Sequence, residues 1–386
     1  MDFDLTDEQL ELRASIRRYL DTEVAPAVDA HERAGTFPYE VLEGLREFGY
    51  LGGWLPEELG GFGMSRVTWA MMIEQLGYCW PSLRTMVNIC NGPIERIARY
   101  GSEEHKERYL GRLFAGTARP FNGYTEPDVG SNVAGVRTKA VLDGDSWVLE
   151  GRKAWITGGA WAEFGIVLAR TYSPTCEGGL SLFVVDKADS PFEVRPQETM
   201  VLRCTGTAEL LFDGVRVPRE NLLGAEGNAL KAALTGLGAA RINVAMGAVG
   251  AAQRAFDLAL DYARTREQFG QPIGRYQLVQ KHLVDMKIRI EAARALSYLA
   301  ADAIDKGRPA RLEGSIAKLY ATEAAHEVAD MALQVHGASG YASDYPIERI
   351  FRDTRGGTIP EGTTEMQTLI IGRELVGMSA IGGGAK

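Results

Sequence analysis

The sequence has few cysteines: Cys79, Cys90, Cys176 and Cys204 are the four among 386 residues. No two of them have the Cys-x-x-Cys spacing of zinc or redox motifs. Such sparse, irregular cysteines argue against a disulfide framework and against a zinc site. We therefore expect four buried thiols and no metal.

Long apolar runs and an excess of positive charge are also absent. No stretch reaches the roughly 18 apolar residues of a membrane span, and the first residues lack the basic and apolar segments of a signal peptide. The 42 basic and 51 acidic residues give a net charge of −9, without a broad positive surface for nucleic acid. We expect a cytoplasmic protein with neither membrane nor nucleic-acid partner.

The sequence divides into three regions by pattern. Residues 1–118 have helical periodicity, starting with a capping box at Thr6, and prolines 26, 38, 81 and 93 predict helix boundaries. Residues 119–226 alternate in the manner of strands, at 139–142, 147–150, 164–169, 180–185 and 209–217. Residues 227–386 return to long helical patterns at 229–264, 276–305 and 311–337. We predict an α+β chain whose middle β domain lies between two helical domains.

One carboxylate stands out as a candidate base. Glu361 lies in residues 358–365 (TIPEGTTE), between the stiff Pro360 and the flexible Gly362. Such a loop can present a buried general base to a flat ligand. Taken alone, the Glu-Gly pair is more typical of a solvated loop. No Gly-x-Gly-x-x-Gly motif or Walker lysine loop indicates a dinucleotide fold.

Three further segments occur with this loop in a characteristic order and spacing. They are residues 124–131 (YTEPDVGS), 153–158 (KAWITG) and 264–270 (RTREQFG). Together the four motifs resemble the acyl-CoA dehydrogenases, and the resemblance spans essentially the whole chain. It implies an N-terminal α-helical domain, a middle β-barrel or sandwich, a C-terminal four-helix bundle and a homotetramer built from dimers.

The resemblance also implies a reaction. FAD would be the cofactor, and an acyl-CoA thioester would be oxidised to the trans-2-enoyl-CoA. Glu361 would remove the pro-R α-proton while flavin N5 accepts the β-hydride, and an electron-transferring flavoprotein would then reoxidise the flavin. Some family members carry the base at the position of Ala240, which cannot accept a proton. The family more often has an aromatic residue where Pro360 stands.

The family's binding residues map onto matching positions. Thr125 would bond the isoalloxazine edge, Trp155 would flank the ring and Thr157 would bond near its redox-active nitrogen; Asn132 replaces the usual aspartate. The full expected cofactor set is Tyr124, Thr125, Gly130, Ser131, Trp155, Ile156, Thr157, Thr363 and Glu365, with Arg266, Gln268, Phe269, Tyr276, Gln277, Gln334, Val335 and Gly337 reaching across a subunit interface. His336 is expected to be a packing residue. The expected substrate set is Arg84, Thr85, Ser131, Arg241 and Gly362.

Arg84 leaves the substrate class open. It resembles the arginine with which glutaryl-CoA dehydrogenases hold a distal carboxylate, although a surface position or a pairing with Glu74 is an alternative. The thioester could also belong to an acyl carrier protein. A flavin-dependent oxidase or oxygenase, and a nonenzymatic acyl-CoA binding protein of the same fold, are further alternatives.

Overall fold

The structure is a computed structural model that describes residues 4–230 and 237–380. Its N-terminal region is helical, as predicted, and Thr6 forms the predicted capping box with Gln9. The α-helices are α1 (Asp7–Tyr19), α2 (Ala25–Ala34), α3 (Glu40–Leu45), α4 (Arg66–Cys79), α5 (Pro81–Tyr100), α6 (Glu103–His105) and α7 (Gly111–Ala115). Two π-helical turns, Leu20–Val24 and Lys106–Leu110, and two 3₁₀ turns, Arg46–Phe48 and Glu57–Leu59, join them.

The helix boundary predicted at Gly92 and Pro93 is wrong, because α5 runs through both residues. Proline removes one backbone donor and frees the carbonyl four residues earlier. That carbonyl belongs to Ile89, and it accepts a hydrogen bond of 3.1 Å from the side-chain Nδ2 of Asn122. The replacement bond lets the helix continue and ties it to the first strand of the β domain.

The middle region forms one eight-stranded sheet. Its strands are β1 (Pro120–Gly123), β2 (Lys139–Asp143), β3 (Ser146–Ile156), β4 (Phe164–Ser173), β5 (Cys176–Asp186), β6 (Glu193–Pro196), β7 (Ala208–Pro218) and β8 (Leu222–Leu223). Their order across the sheet is β6-β7-β3-β2-β4-β5-β8, and β1 pairs with β4. All five predicted strands are confirmed, whereas the short strands β1, β6 and β8 were not predicted. Strands β1 and β2 run parallel to β4, and the other pairs are antiparallel.

Long helices form the C-terminal region. They are α8 (Leu237–Thr265), α9 (Gln277–Asp305) and α10 (Arg311–His336), followed by the shorter α11 (Pro346–Gly356) and α12 (Thr364–Val376). A small hairpin of β9 (Glu267–Gln268) and β10 (Gln271–Pro272) separates α8 from α9. The three long helices confirm the prediction, although residues 231–236 of its first segment lie outside the described residues. No helix in residues 4–230 or 237–380 is both long and apolar enough to cross a membrane.

Helix α4 of the first region packs against α8 at glycines. A Cβ atom on Gly77 would lie 2.2 Å from the carbonyl oxygen of Gly247, and one on Gly250 would lie 2.1 Å from that of Glu74. Only glycine permits such an approach of two helix backbones. This close crossing brings α5, which follows α4, next to the start of the C-terminal bundle.

The cysteine prediction is only half correct. All four cysteines are free, as expected; Cys90 and Cys204 are buried, but Cys79 and Cys176 are partly exposed. The Cys204 thiol lies 3.0 Å from a carboxylate oxygen of Glu32, and Asp353 of α11 accepts a bond from the backbone of Leu202 nearby. The first, middle and last regions therefore meet around these residues.

Candidate active site

Glu361 occupies a tight turn between α11 and α12. Its φ is +55° and that of Gly362 is +94°, so both residues are left-handed. The side-chain Nε2 of Gln367 donates to the carbonyl oxygens of both, each at 3.0 Å, and Lys318 Nζ donates to that of Gly362 at 2.9 Å. A left-handed conformation costs a non-glycine residue about 1–2 kcal/mol. Strain of this kind at an ionisable residue is typical of functional sites.

Four cations lie within electrostatic range of the Glu361 carboxylate. Burial raises its pKa above the usual 4.5, and the positive charges of Arg96, Arg241, Arg84 and Lys318 oppose that rise without cancelling it. A raised pKa makes a carboxylate a stronger base, which is better suited to accept a proton near neutral pH. The loss of water around this half-buried carboxylate therefore affects its pKa more than the four positive charges do.

Arg84 of α5 points into this site and is 9% exposed. Its Nε is buried and has no hydrogen-bond partner among the described residues. Burial lowers its pKa to about 10, and the charge of Glu361 acts in the opposite direction. A Cβ on Gly247 would lie 2.7 Å from this Nε, so the glycine makes room for the guanidinium. The alternative pairing with Glu74 is wrong, because Arg294 takes that carboxylate at 2.9 Å.

Arg241 lies near the start of α8 and is 7% exposed. It donates from Nη1 to Ser315 Oγ at 3.3 Å, whereas its buried Nε has no partner in the described part of the chain. Burial lowers its pKa, and the charge of Glu361 opposes the change. Buried donors are nearly always satisfied, so the free Nε atoms of Arg84 and Arg241 leave two donors for a hydrogen-bond acceptor at this site. Thr85, by contrast, donates its hydroxyl to Pro81 O at 3.0 Å.

The β domain contributes an exposed indole ring beside the predicted Thr125 segment. A bulge in β3 between Lys153 and Ile156 gives Trp155 a φ of +60° and leaves its side chain 59% exposed, with its backbone N–H bonded to Gln197 at 3.0 Å. Ala154 N–H donates to the Thr125 carbonyl at 3.0 Å, which places the two predicted flavin motifs side by side. Thr157 is half-buried. The side chain of Ile156 lies in the core, so only its backbone can face a ligand.

The turn at residues 126–131 is open to a ligand. Gly130 and Ser131 are exposed, and a Cβ on Gly130 would meet no atom within 4 Å. An exposed indole beside two threonines and an open turn suits a planar isoalloxazine ring, whose face is apolar and whose edge is polar. Tyr124 adds a buried hydroxyl, whose pKa is raised by burial. The residues present therefore fit FAD.

A second set of predicted residues lies on the hairpin after α8. Arg266 and Gln268 are exposed, and Phe269 is 95% exposed with a φ of +52°. The Tyr276 hydroxyl donates to the Gln268 carbonyl at 2.8 Å, and Gln277 begins α9. Gly270 has a φ of +77° in the same hairpin.

The predicted segment at the end of α10 lies close to this hairpin. Tyr262 stacks on His336 with ring centroids 4.4 Å apart, and its hydroxyl donates to Ser339 Oγ at 3.3 Å. Gln334 is exposed and Val335 is buried. Gly337 has φ +61° and ψ −139°, a conformation that only glycine adopts readily. His336 is buried with Nδ1 2.7 Å from the Ala332 carbonyl, consistent with a packing role.

The structure does not bring the two sets together within one chain. Arg241, beside Glu361, is near the start of α8, and Arg266 directly follows its end. Thr265 lies 24 residues after Arg241, and at 1.5 Å per residue the helix between them spans roughly 36 Å. Arg266 and its neighbours are therefore too far from Glu361 to serve the same site in one chain.

Sequence reasoning missed Arg96, Lys318 and Gln367. Lys318 is 0% exposed on a face of α10 that it shares with Gly314 and Ala321, and a charge in such an apolar row was a usable signal. Arg96 and Gln367 gave none. Thr363 caps α12 through the N–H of Met366 at 3.3 Å, and Glu365 is exposed in the helix's first turn.

Comparison with known proteins agrees with this geometry. Three family models match: the acyl-CoA dehydrogenase N-terminal domain at residues 6–117, the middle domain at 122–215 and the C-terminal domain at 227–376. The chain belongs to the acyl-CoA dehydrogenase family. It is a flavin-dependent oxidoreductase acting on CH–CH bonds, with FAD as cofactor.

Relatives cover nearly the whole chain. A probable acyl-CoA dehydrogenase from Bacillus subtilis (strain 168) is 37% identical over 97% of this chain and 100% of its own length. Glutaryl-CoA dehydrogenase from Mycobacterium smegmatis, solved in complex with FADH2, has a TM-score of 0.91 and 33% identity over 98% of this chain and 97% of that chain. A prolyl acyl carrier protein oxidase has a TM-score of 0.88 and 30% identity over 97% and 100% of the two chains.

Proposed function

We propose that this protein catalyses the α,β-dehydrogenation of an acyl-CoA thioester, with Glu361 as the base. The observation that supports this most is the strained, half-buried Glu361, whose pKa is raised among four cations. A base with these properties matches the removal of a weakly acidic proton beside a thioester carbonyl. FAD, when bound, supplies the acceptor for the hydride that leaves the β-carbon.

The residues around Glu361 divide the remaining tasks. The backbone N–H of Glu361 donates to the thioester oxygen, where charge develops as the α-proton leaves. Arg241 and Gly362 shape the substrate site beside the base. Lys318 and Gln367 hold the carbonyls of the turn and so keep the carboxylate oriented. Trp155 and Thr157 support the cofactor ring from the β domain.

The rate of flavin reduction is expected to rise with pH through the pKa of Glu361, because only its carboxylate form accepts a proton. Burial raises that pKa above 4.5, so the rise is expected above pH 4.5 and to level off at higher pH. Anaerobic rapid mixing with a substrate thioester, from about pH 5 to about pH 9, measures it. The fraction of FAD retained at each pH is the control, and a rate that falls as pH rises would contradict the assignment.

A panel of thioesters tests the proposed reaction directly. Anaerobic loss of the oxidised flavin absorbance is followed after adding glutaryl-, succinyl-, butyryl-, isobutyryl-, isovaleryl- or octanoyl-CoA. Bleaching by at least one of them, with the enoyl thioester as product, is expected. If none bleaches the yellow protein, either the thioester is on a carrier protein or the chemistry is that of the oxygen-using relatives.

A second candidate is a substrate with a distal carboxylate, as in a dicarboxylyl-CoA. Arg84 favours it, because a buried arginine whose Nε has no hydrogen-bond partner among the described residues suits an anionic acyl end. Glutaryl-CoA dehydrogenase from Mycobacterium smegmatis has the same fold. Selective bleaching by glutaryl- or succinyl-CoA would favour this reading over a simple acyl chain.

A third candidate is a reaction in which the thioester is on a carrier protein or oxygen accepts the electrons. The similarity of this chain to a prolyl acyl carrier protein oxidase favours it. Oxygen consumption during turnover would separate an oxidase or oxygenase from a dehydrogenase that uses an electron-transferring flavoprotein. A colourless protein that cannot be reconstituted with FAD would instead indicate a nonenzymatic binding protein.

We further propose that each FAD site is completed by a second copy of the chain, within a homotetramer built from dimers. The separation of roughly 36 Å along α8 supports this, because Arg266 and its neighbours lie too far from their own Glu361. Two large apolar side chains near that end are open to a partner: Phe269 is 95% exposed and Leu278 is 76% exposed. Gel filtration with light scattering measures the assembly.

A further inference from the structure

A buried ion pair joins the two predicted flavin-binding segments that carry Thr125 and Trp155. Lys153 of β3 is 0% exposed and Glu126 is 6% exposed, and Nζ lies 2.8 Å from the Oε1 of the glutamate. The carboxylate also accepts from the backbone N–H groups of Arg137 at 2.7 Å and Thr138 at 2.8 Å, and from the Thr138 hydroxyl at 2.6 Å. Both carboxylate oxygens of Glu126 thus accept hydrogen bonds from specific donors.

The same pair encloses Thr125 on both sides. Lys153 Nζ donates to the carbonyl of Tyr124 at 3.2 Å and to the side chain of Glu126, the residues before and after Thr125. The next residue along β3, Ala154, donates its backbone N–H to the Thr125 carbonyl at 3.0 Å. Three hydrogen bonds therefore join the Thr125 turn to the strand end that carries Trp155.

The bulge in β3 lets the buried Lys153 and the exposed Trp155 lie on opposite sides of the strand. Lys153 and Trp155 are two residues apart and would face the same side of a regular strand. The register shift after Lys153 instead leaves the lysine buried and the indole exposed. Without the pair, one hydrogen bond among the described residues, from Ala154 N–H to the Thr125 carbonyl, would join the Thr125 turn to the bulged strand.

We propose that Lys153 and Glu126 are positioning residues for FAD, which fix Thr125 and Trp155 at the spacing that the isoalloxazine ring requires. The proposal rests on the cofactor of the family and not on the assignment of Glu361 as the base. A buried ion pair often stabilises a fold no better than well-packed apolar side chains do, so stability alone does not account for this pair. Holding two ligand-contacting segments in one register is a role that its directed hydrogen bonds suit.

The test measures FAD binding by the apoprotein of full-length variants. Lys153→Met removes the charge and both bonds at similar size, and we expect FAD affinity to fall by about tenfold or more, the size of a lost charge-assisted hydrogen bond. The visible circular dichroism of bound FAD is expected to change, since the ring environment is altered. Arg152→Met is the matched control: Arg152 is the neighbouring residue on β3, exposed and 3.5 Å from Glu209, and its loss is expected to change neither quantity.

A double variant separates positioning from folding. Lys153→Met leaves Glu126 buried without its cation, and that can lower the melting temperature of the apoprotein. Glu126→Gln combined with Lys153→Met removes both charges, so we expect the melting temperature to recover while FAD affinity stays low. Folded variants that bind FAD with wild-type affinity and wild-type circular dichroism would overturn the proposal, as would recovery of FAD affinity in step with the melting temperature.

Discussion

Replacing Glu361 with glutamine is expected to slow flavin reduction by about 10³-fold or more while FAD remains bound, the loss typical of an essential base. Glutamine has nearly the same shape but cannot accept the α-proton. The hydrogen bonds that hold the turn go to the backbone carbonyls of residues 361 and 362, so they persist in the variant. Anaerobic stopped-flow reduction with a bleaching thioester measures the effect.

An exposed carboxylate of the following helix provides the control for this variant. Glu374 of α12 is exposed and lies 3.3 Å from Arg311. Glu374→Gln therefore makes the same chemical change on the helix that follows the turn, without removing the proposed base. We expect its rate of flavin reduction to stay within a few-fold of wild type. Reduction at a wild-type rate in Glu361→Gln would rule out this residue as the base and leave the family assignment intact.

Replacing Arg84 with methionine is expected to lower kcat/KM for glutaryl-CoA by about 100-fold relative to butyryl-CoA, if the substrate has a distal carboxylate. Truncating one member of a buried ionic hydrogen bond typically costs about 2–5 kcal/mol, which includes the penalty of leaving the other charge unpaired. A neutral acyl chain makes no such bond and is expected to react at a similar rate. Equal losses with both substrates would remove the dicarboxylate reading.

Two further variants isolate the role of the Arg84 guanidinium. Gly247→Ala keeps the arginine but places a methyl group where Nε lies 2.7 Å away, so it should displace the guanidinium and reduce activity with acidic substrates in the same direction. Arg99→Met removes an exposed arginine of the same helix, paired with Glu95 at 3.2 Å. No selective effect is expected for it. If Arg99→Met also lost activity selectively with acidic substrates, the effect of Arg84 would reflect long-range charge and not a contact with the substrate carboxylate.

The secondary structure could be predicted because the patterns are local. The period of α8 to α10 and the alternation of β2, β3 and β7 follow from which face each element buries, whereas β4 and β5 contain apolar runs that are buried on both faces. Pro93 could not be placed correctly from local rules alone. Its effect depends on Asn122, which is remote in sequence and supplies a partner for the carbonyl that proline frees.

The candidate site could be predicted only in part. Motif resemblance selected Glu361, Arg84 and Arg241, but their proximity depends on the glycine crossing of α4 and α8, which no sequence pattern indicated. The exposure of Trp155 depends on a bulge in a strand that was predicted to end at residue 150. Such features arise from packing between regions far apart in sequence, and single-chain patterns do not record them.

The length of α8 has a consequence for mixtures of subunits. Because the helix holds Arg241 and Arg266 roughly 36 Å apart, the proposed assembly gives each site a base from one chain and a distal cofactor contact from another. A subunit with a defective base and a subunit with a defective Arg266 hairpin are then each inactive alone. Paired in one dimer, they would form one site with both defects and one with neither. Two recessive lesions in different parts of this gene would thus complement each other in a cell that expresses both.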